Sequence, residues 1–246
     1  MLRNEDAISF LSRVPSGSVD LVLVDPPYFQ IAKEEWDHQW SREDDYINWC
    51  NVWTRECFRV LKPGGCFYVW GTTKTDTFLR YKLEVLNHIP DAHYQNWIIW
   101  SYDWGGRTKK TWPRKHEDLL MYSKGEEYRF YPARILVDRK MLNNIRTNMN
   151  HVRGKVPTDV WHMNNHTMSK EYVNWHPTQK PIDLLKRIIK AHTNYNEVVL
   201  DCFSGSGSTM IAAAQTNRRF IGCEVNKEYY RNSMIRKRRL CRESTG

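Results

Sequence analysis

The apolar run over residues 21–24 is the clearest sign of structure in the chain, because four consecutive β-favouring side chains indicate a strand buried on both faces of a sheet. The run ends at a carboxylate, Asp25, which two prolines follow directly. Proline fixes φ, carries no N–H and drives the residue before it to extended geometry. The pattern therefore predicts a stiff loop, residues 25–29, whose carbonyl groups join neither a helix nor a ladder.

Strand and helix signals then alternate along the chain, which is typical of an α/β protein with a doubly wound, mostly parallel sheet. The helical spacing of Tyr46, Trp49 and Trp53 predicts a helix over residues 44–61, which Lys62-Pro-Gly-Gly65 is expected to end. The other predicted elements are a short helix capped by Asp6, helices over residues 75–87, 210–215 and 227–240, one that starts at Pro181, and strands over residues 66–70, 96–101, 118–123, 198–200 and 220–223.

Periodicity is poor between Gly125 and Trp175, where Arg, Lys, Asn and His dominate. We therefore divide the chain into one half of an α/β core at residues 1–124, an insertion at residues 125–175 and the other half of the core at residues 176–246. A basic insertion of this kind is either a solvated surface segment or an element that contacts a polyanion.

Composition narrows the class of partner. The formal net charge of +9 and the 11 Trp, 13 Tyr and 8 Phe residues are typical of proteins that bind nucleic acid, although most of these rings must belong to the core. The six Cys residues form no Cys-x-x-Cys pair, which predicts reduced thiols in a cytoplasmic protein with neither zinc nor disulfides. No apolar stretch is long enough to predict a membrane role. His162 and His166 lack the Glu of a zinc helix, so we predict no metal site.

The loop after the first buried strand is a candidate binding site. A carboxylate, rigid carbonyls and the ring of Tyr28 at the carboxyl end of a strand suit a planar group that carries an amine. The alternative is a strand that ends in a proline turn, with Tyr28 and Phe29 packed in the core.

A second candidate site lies in the carboxyl-terminal part of the chain, where a strand ends at Asp201, a glycine turn follows, and the next strand ends at Glu224. Gly205 and Gly207 allow close backbone approach to a ligand at a helix N-terminus, and Glu224 is placed for ribose hydroxyls. The dinucleotide fingerprint is excluded because Met210 replaces its third glycine, and the turn lacks the lysine of a phosphate-binding loop. A ribose-bearing cofactor without phosphate fits, with its cationic end near Asp201, and S-adenosylmethionine has this chemistry.

Four motifs occur in one order along the chain: Asp25-Pro-Pro-Tyr-Phe, Leu61-Lys-Pro-Gly-Gly65, His176-Pro-Thr-Gln-Lys-Pro181 and residues 201–209. Together they resemble the β group of amino-methylating DNA methyltransferases, which belong to bacterial restriction–modification systems and phages. In that group the catalytic motif comes first, the recognition region is inserted mid-chain and the cofactor motif comes last. Cys202 and Ser208 depart from the usual proline and threonine, but neither change removes a charged or glycine position.

The resemblance implies an S-adenosylmethionine-dependent methyltransferase fold and direct in-line methyl transfer to the N6 amine of an adenine flipped out of the DNA. In the family, Asp at the first position of the motif goes mostly with adenine N6, whereas Ser there goes with cytosine N4. Cytosine N4 is therefore the alternative target. Methylation of RNA or of a protein amide, and DNA binding without catalysis, are further alternatives.

The resemblance also assigns roles to residues. The Asp25 carboxylate and the Pro26 carbonyl would accept the hydrogens of the amine, and Tyr28 would stack on the base. The implied catalytic residues are Asp25, Pro26, Pro27 and Tyr28. The implied cofactor residues are Asp6, Ala7, Asp25, Lys180, Asp201, Phe203, Ser204, Gly205, Gly207, Ser208, Thr209, Glu224 and Val225. For Lys180 the alternative is a solvated lysine at a helix start.

Several basic and aromatic residues are candidates for DNA contacts. The basic ones lie in the glycine-punctuated loop before residue 116 and in the insertion, where they would contact phosphates. The residues in this group are Phe29, Arg107, Lys109, Lys110, Arg114, Arg139, Lys140 and Arg153. Trp112 is either a core residue or a wedge between bases.

DNA, expected as a duplex, is the implied partner, and the protein would be cytoplasmic and associated with the nucleoid. A cognate restriction endonuclease is a further implied partner. A homodimer is a hypothesis based on the helix over residues 44–61, whose apolar face is broader than a surface helix needs.

Overall fold

The computed structural model describes residues 1–31, 34, 37–72, 74–103, 108–137, 154–163 and 171–242. Its strands are β1 (Leu2–Arg3), β2 (Val19–Val24), β3 (Leu61–Gly71), β4 (Ala92–Ser101), β5 (His116–Lys124), β6 (Val160–His162), β7 (Val198–Asp201) and β8 (Arg219–Cys223). Its α-helices are α1 (Ala7–Leu11), α2 (Glu43–Val60), α3 (Thr77–Arg80), α4 (Ile182–His192), α5 (Ser208–Gln215) and α6 (Lys227–Arg242).

These strands form one sheet in the order β1-β8-β7-β2-β3-β5-β4-β6. The sheet is mostly parallel, as the sequence predicts, but β5 is antiparallel to both of its neighbours, β3 and β4. The described residues between β4 and β5, 102–103 and 108–115, form no helix, and strands joined without a crossover pair antiparallel. The loop therefore returns β5 alongside β4, and β5 separates β4 from β3.

Two elements differ from their predicted form. The segment Lys62-Pro-Gly-Gly65 follows α2 and lies inside β3. It forms a β-bulge there, because the pairing of β2 with β3 passes from Val19–Leu61 directly to Leu21–Cys66. A Cβ on Gly65 would lie 2.9 Å from the Asp20 carbonyl oxygen, so this bulge requires glycine. The helix predicted over residues 75–87 is α3 followed by a π-helical turn, Tyr81–Val85, and a 3₁₀ turn, Leu86–His88.

Each face of the sheet is covered by helices. One core contains buried residues of α1, α2 and α3, and the other contains buried residues of α4, α5 and α6. The apolar face of α2 packs inside this chain, with Tyr46, Trp53 and Phe58 buried. Most of the apolar face of α2 is thus used inside this chain, and the homodimer stays a prediction.

The described parts of the predicted insertion contact the core. Tyr131 N–H donates to the Ala191 carbonyl at 2.7 Å, and β6 extends the sheet beside β4. The division of the chain into domains stays a prediction. Among the residues that the structure describes, no helix is both long and apolar enough to cross a membrane.

A buried carboxylate joins three strands at the end of the sheet away from Asp25. Asp20 Oδ1 accepts hydrogen bonds from Lys62 Nζ at 2.8 Å and Arg129 Nη2 at 3.0 Å, and Oδ2 accepts from Val198 N–H at 2.9 Å. Burial opposes ionisation, but the hydrogen bonds from Lys62, Val198 and Arg129 outweigh it and hold the pKa of Asp20 below its usual value.

We expect Asp20→Ala to lower the free energy of unfolding by about 3 kcal/mol, near the low end for buried ion pairs because both cations keep contact with solvent. Denaturant unfolding measures the change.

The same carboxylate makes stability depend on pH. Because the pKa of Asp20 is lower in the folded than in the unfolded protein, its stabilisation is present above the unfolded pKa and is lost as the pH falls through the folded pKa. Asp183→Ala, at an exposed ion pair, should change stability by at most about 0.5 kcal/mol. Equal effects of the two changes would contradict this account.

Candidate active site

A cavity of about 510 Å³ lies where the parallel strands β2, β7 and β8 end. Open α/β sheets bind ligands at this edge, and the volume is that of a small-molecule site. Because β5 runs in the opposite direction, its first residues, His116 and Glu117, reach the same edge. The two candidate sites of the sequence therefore lie on one cavity.

Both oxygens of the Asp25 carboxylate accept hydrogen bonds. Tyr28 Oη donates to Oδ1 at 2.7 Å, and Lys180 Nζ donates to Oδ2. Tyr46 Oη of α2 donates to the Pro27 carbonyl at 3.0 Å. The loop is therefore fixed by side chains from α2 and from the segment before α4 as well as by its prolines.

Lys180 is buried, which excludes the solvated lysine considered above. Its Nζ lies 3.2 Å from Glu117 Oε2 in addition to its bond to Asp25, and 5.7 Å from the centre of the Trp70 ring. Burial alone would lower the pKa of Lys180, but Asp25 and Glu117 outweigh burial and raise it, so the ammonium form is held in place.

Glu117 is a site residue that the sequence did not reveal. Burial raises its pKa, the Lys180 charge opposes that shift and the Asp25 charge adds to it. The available signal was the basic, glycine-punctuated loop that the sequence predicts before residue 116 in place of a crossover helix, since only an antiparallel β5 brings its first residues to this edge.

The glycine turn forms the other side of the cavity. Gly205, at φ +47°, donates its N–H to Glu224 Oε2 at 2.7 Å, and a Cβ there would lie 2.5 Å from His176 Nε2. Gly207 faces away: at φ +77°, its missing Cβ would meet Ser233 of α6 at 2.8 Å. Gly205 thus permits close approach at the cavity, whereas Gly207 permits the packing of α6 against the turn.

Arg236 of α6 braces the same turn. Its guanidinium donates to the Ser206 carbonyl, to Ser208 Oγ and to the Glu171 carbonyl, each at 2.9 Å. Burial lowers the pKa of Arg236 to about 10. Basic residues near the end of a helix are expected to favour its C-terminus through their charge, and that pattern does not indicate the contact of Arg236 with the turn.

The donors and acceptors around this half fit S-adenosylmethionine. Asp6, Asp201 and Glu224 line the cavity, where carboxylates suit ribose hydroxyls and a cationic group. Among the described residues, the buried atoms Ser204 Oγ and His176 Nδ1, which belong to lining residues, have no hydrogen-bond partner. Both atoms can therefore form hydrogen bonds with a polar ligand, because the chain itself leaves this capacity unused.

Most of the residues assigned by resemblance line the cavity. They are Asp6, Ala7, Asp25, Pro26, Pro27, Tyr28, Lys180, Asp201, Phe203, Ser204, Gly205, Ser208, Thr209, Glu224 and Val225, together with Arg114. Phe29 instead packs against Tyr46, with ring centres 5.8 Å apart, and Gly207 is turned to α6. Lys109 and Lys110 are exposed. Arg107, Arg139, Lys140 and Arg153 lie outside the described residues.

Asp201 has an unusual ionisation. Its Oδ1 accepts the Phe203 N–H at 3.0 Å, and the Thr209 hydroxyl bonds to the same carboxyl group. Burial outweighs these hydrogen bonds and raises the pKa of Asp201 to about 7. The carboxyl group is therefore neutral below that pH and negative above it.

We expect affinity for S-adenosylmethionine to rise about tenfold from pH 6 to pH 8, because the ionised fraction of a group with this pKa grows by that factor and a cation prefers the ionised form. Calorimetric titration of the protein without DNA measures this. Asp201→Asn should remove the slope, with weak binding throughout. An unchanged slope in this variant would show that another group controls it.

The sequence of the chain is similar to those of known DNA methyltransferases. The family model for N6/N4 methyltransferases, described as DNA methylase, matches residues 19–236. The DNA adenine methyltransferase YhdJ of Escherichia coli is 38% identical over 248 residues, covering 94% of this chain and 80% of that protein. Type II methyltransferase M.HpaI of Haemophilus parainfluenzae is 34% identical over 232 residues, covering 91% and 69%.

A solved structure has the same fold. PvuII DNA methyltransferase, described as cytosine-N4-specific, superposes with a TM-score of 0.71 over 99% of this chain and 90% of that one, at 18% identity. At this identity the likeness shows the fold alone.

Proposed function

Because the chain belongs to the N6/N4 DNA methylase family, we propose that this site-specific, S-adenosylmethionine-dependent DNA methyltransferase modifies the N6 amine of adenine. One observation carries the proposal: the Asp25 carboxylate faces the same cavity as Asp201, Gly205 and Glu224. An amine held by the first group and a methyl donor held by the others would meet in that cavity. The donor, when bound, supplies an electrophilic methyl group.

The choice of adenine depends on the catalytic motif. Its first residue is Asp25, which in this family goes mostly with adenine, and the relative YhdJ is a DNA adenine methyltransferase. Cytosine N4 is the second candidate, because the family includes both amines. Both targets present an exocyclic amine to the same acceptors.

The chain's residues position the amine. The Asp25 carboxylate and the Pro26 carbonyl accept its two hydrogens, which directs the nitrogen lone pair toward the donor. Extrusion of the base costs about a few kcal/mol, and stacking on an aromatic ring returns about 1–3 kcal/mol. Tyr28 supplies that ring, with its hydroxyl bonded to Asp25.

The loop between β4 and β5 supplies the DNA contacts in this proposal. Lys109 and Lys110 are exposed, and Arg114 of the same loop lines the cavity. Trp112 is 93% exposed, which excludes the core role considered from the sequence and favours the wedge. Positive charges beside an exposed aromatic ring suit a DNA strand from which one base has been flipped out, because the charges can contact phosphates and the ring can stack on a neighbouring base.

A cognate restriction endonuclease is part of the same proposal, supported by the likeness to M.HpaI, a Type II methyltransferase. No contact with such an enzyme is needed, because the two would act on one DNA sequence independently.

We expect Asp25→Ala to lower methyl transfer to unmethylated duplex DNA by at least about 100-fold, because an electrostatic acceptor for the amine is lost. Cofactor affinity should stay within severalfold. Labelled methyl transfer measures the rate, and digestion identifies the product as N6-methyladenine.

Asp183→Ala is the matched control, since this carboxylate is exposed on α4. Full activity of Asp25→Ala would end the mechanism, and recovery of N4-methylcytosine would select the second target. Preference for RNA or protein over DNA in competition would reject the proposed substrate.

To test the DNA contacts of the loop between β4 and β5, we would replace Lys109 and Lys110 together by Gln. The slope of log affinity for DNA against log salt concentration should become shallower by about 2, one for each phosphate contact that is lost. Trp112→Ala should leave that slope unchanged and weaken binding by about 5- to 100-fold through lost stacking. Fluorescence anisotropy with duplex DNA at several salt concentrations measures both effects. Lys190→Gln, at an exposed lysine of α4, is the control, and an equal slope change in it would reject the assignment of the loop.

A further inference from the structure

Three charged side chains form a continuous row along the cavity wall. Lys180 Nζ donates to Asp25 Oδ2 on one side and lies 3.2 Å from Glu117 Oε2 on the other. The Lys180 side chain is 7% exposed. The Glu117 Oε2 atom is buried and has no hydrogen-bond partner among the described residues, so its contact with Lys180 is an ion pair and the oxygen is able to accept a proton. The row therefore leads from the proposed amine acceptor to a second carboxylate that the transfer itself does not use.

Methylation of an amine leaves a proton to be removed. As the N–C bond forms and the C–S bond breaks, the electron pair of the C–S bond goes to sulfur, and the nitrogen becomes positively charged until one N–H proton leaves. A second carboxylate in contact with the first through an ammonium group can take that proton without a change of charge at either of the others.

We propose that Glu117 is the terminal acceptor of the amine proton, which reaches it through Asp25 and Lys180. This inference rests on the proposed function. Lys180, which is an ammonium group, gives a proton to Glu117 and takes one back from Asp25, which has received the proton of the amine. Asp25 and Lys180 return to their starting charges, and Glu117 ends as a neutral acid.

The surroundings explain why the proton stops at Glu117. Asp25 is bonded to two donors, Tyr28 Oη and Lys180 Nζ, and a proton that stayed on Asp25 would weaken its ion pair with Lys180. Burial already raises the pKa of Glu117 above its usual value. Among the described residues, the titratable groups that act on Glu117 or are influenced by it include Lys180, Asp25, Lys74, Tyr28 and Tyr102.

The first experiment is single-turnover methyl transfer by Glu117→Gln, which keeps the shape of the side chain but cannot accept the proton. We expect the rate to fall about 100-fold, a typical contribution of a positioned proton acceptor. Cofactor affinity should stay unchanged and the melting temperature should fall only slightly, because Asp25 still pairs with Lys180. Glu117→Asp should restore part of the rate. Glu126→Gln, at an exposed glutamate just beyond β5, is the matched control.

The second experiment needs neither cofactor nor DNA. Carbon-13 NMR of protein labelled at the glutamate carboxyl groups should show one resonance, missing in Glu117→Gln, that titrates above the usual glutamate range. In Lys180→Met this resonance should titrate at still higher pH, because the opposing cation is gone. Lys190→Met is the control for general charge effects.

The outcomes separate this inference from the function on which it depends. If the wild-type protein methylates DNA and Glu117→Gln does so at the same rate, the relay is wrong while the proposed function holds. If Glu117→Gln loses cofactor affinity and melting temperature together with activity, Glu117 is structural and the relay is again wrong. If the wild-type protein transfers no methyl group, the proposed function fails, and an unshifted Glu117 resonance in Lys180→Met would reject the coupling by itself.

Discussion

The ion pair between Lys180 and Asp25 joins two parts of the chain that are 155 residues apart. Asp25 follows β2 in the first part, and Lys180 precedes α4 in the second, so the pair closes the cavity only when the sheet has assembled. A buried ammonium group is costly without a partner, and the two carboxylates at Lys180 supply that compensation. The same contact therefore stabilises the assembled core and orients the carboxylate that the proposed chemistry requires.

The parts of the site that could be predicted from the sequence were those that a short stretch of neighbouring residues determines. The strand before Asp25, the turn after Asp201 and the residue Glu224 each lie where the rules for parallel sheets place them, at the carboxyl ends of strands. Glu117 could not be found in this way, because it lies at the start of its strand and not at the carboxyl end. Its position depends on the direction of β5, which is decided by pairing with β3 and β4 and not by any signal within residues 116–124.

The glycine turn shows a second limit of sequence reasoning. Gly205 and Gly207 are two residues apart and both adopt positive φ, yet one faces the cavity and the other faces α6. The sequence predicts that a side chain is excluded at each position, but only the tertiary contacts show what excludes it. Arg236 is a similar example. Its place near the end of a basic helix indicates a favourable charge at the helix C-terminus, but only the structure shows that it also donates to the turn, 30 residues earlier.

The pairing of β2 with β7 explains why two distant motifs act on one reaction centre. The register sets Val22 opposite Leu200, so Asp201 is level with Leu23, and Asp25 stands two residues further along the neighbouring strand. Neighbouring strands are about 4.8 Å apart and rise about 3.3 Å per residue, which places the two carboxylates within a single small-molecule length of each other. The Asp25 charge contributes to the raised pKa of Asp201, as this proximity requires. Direct transfer between two bound groups needs donor and acceptor sites to be this close, and adjacent parallel strands fix that spacing through backbone hydrogen bonds, whatever the order of the motifs along the chain.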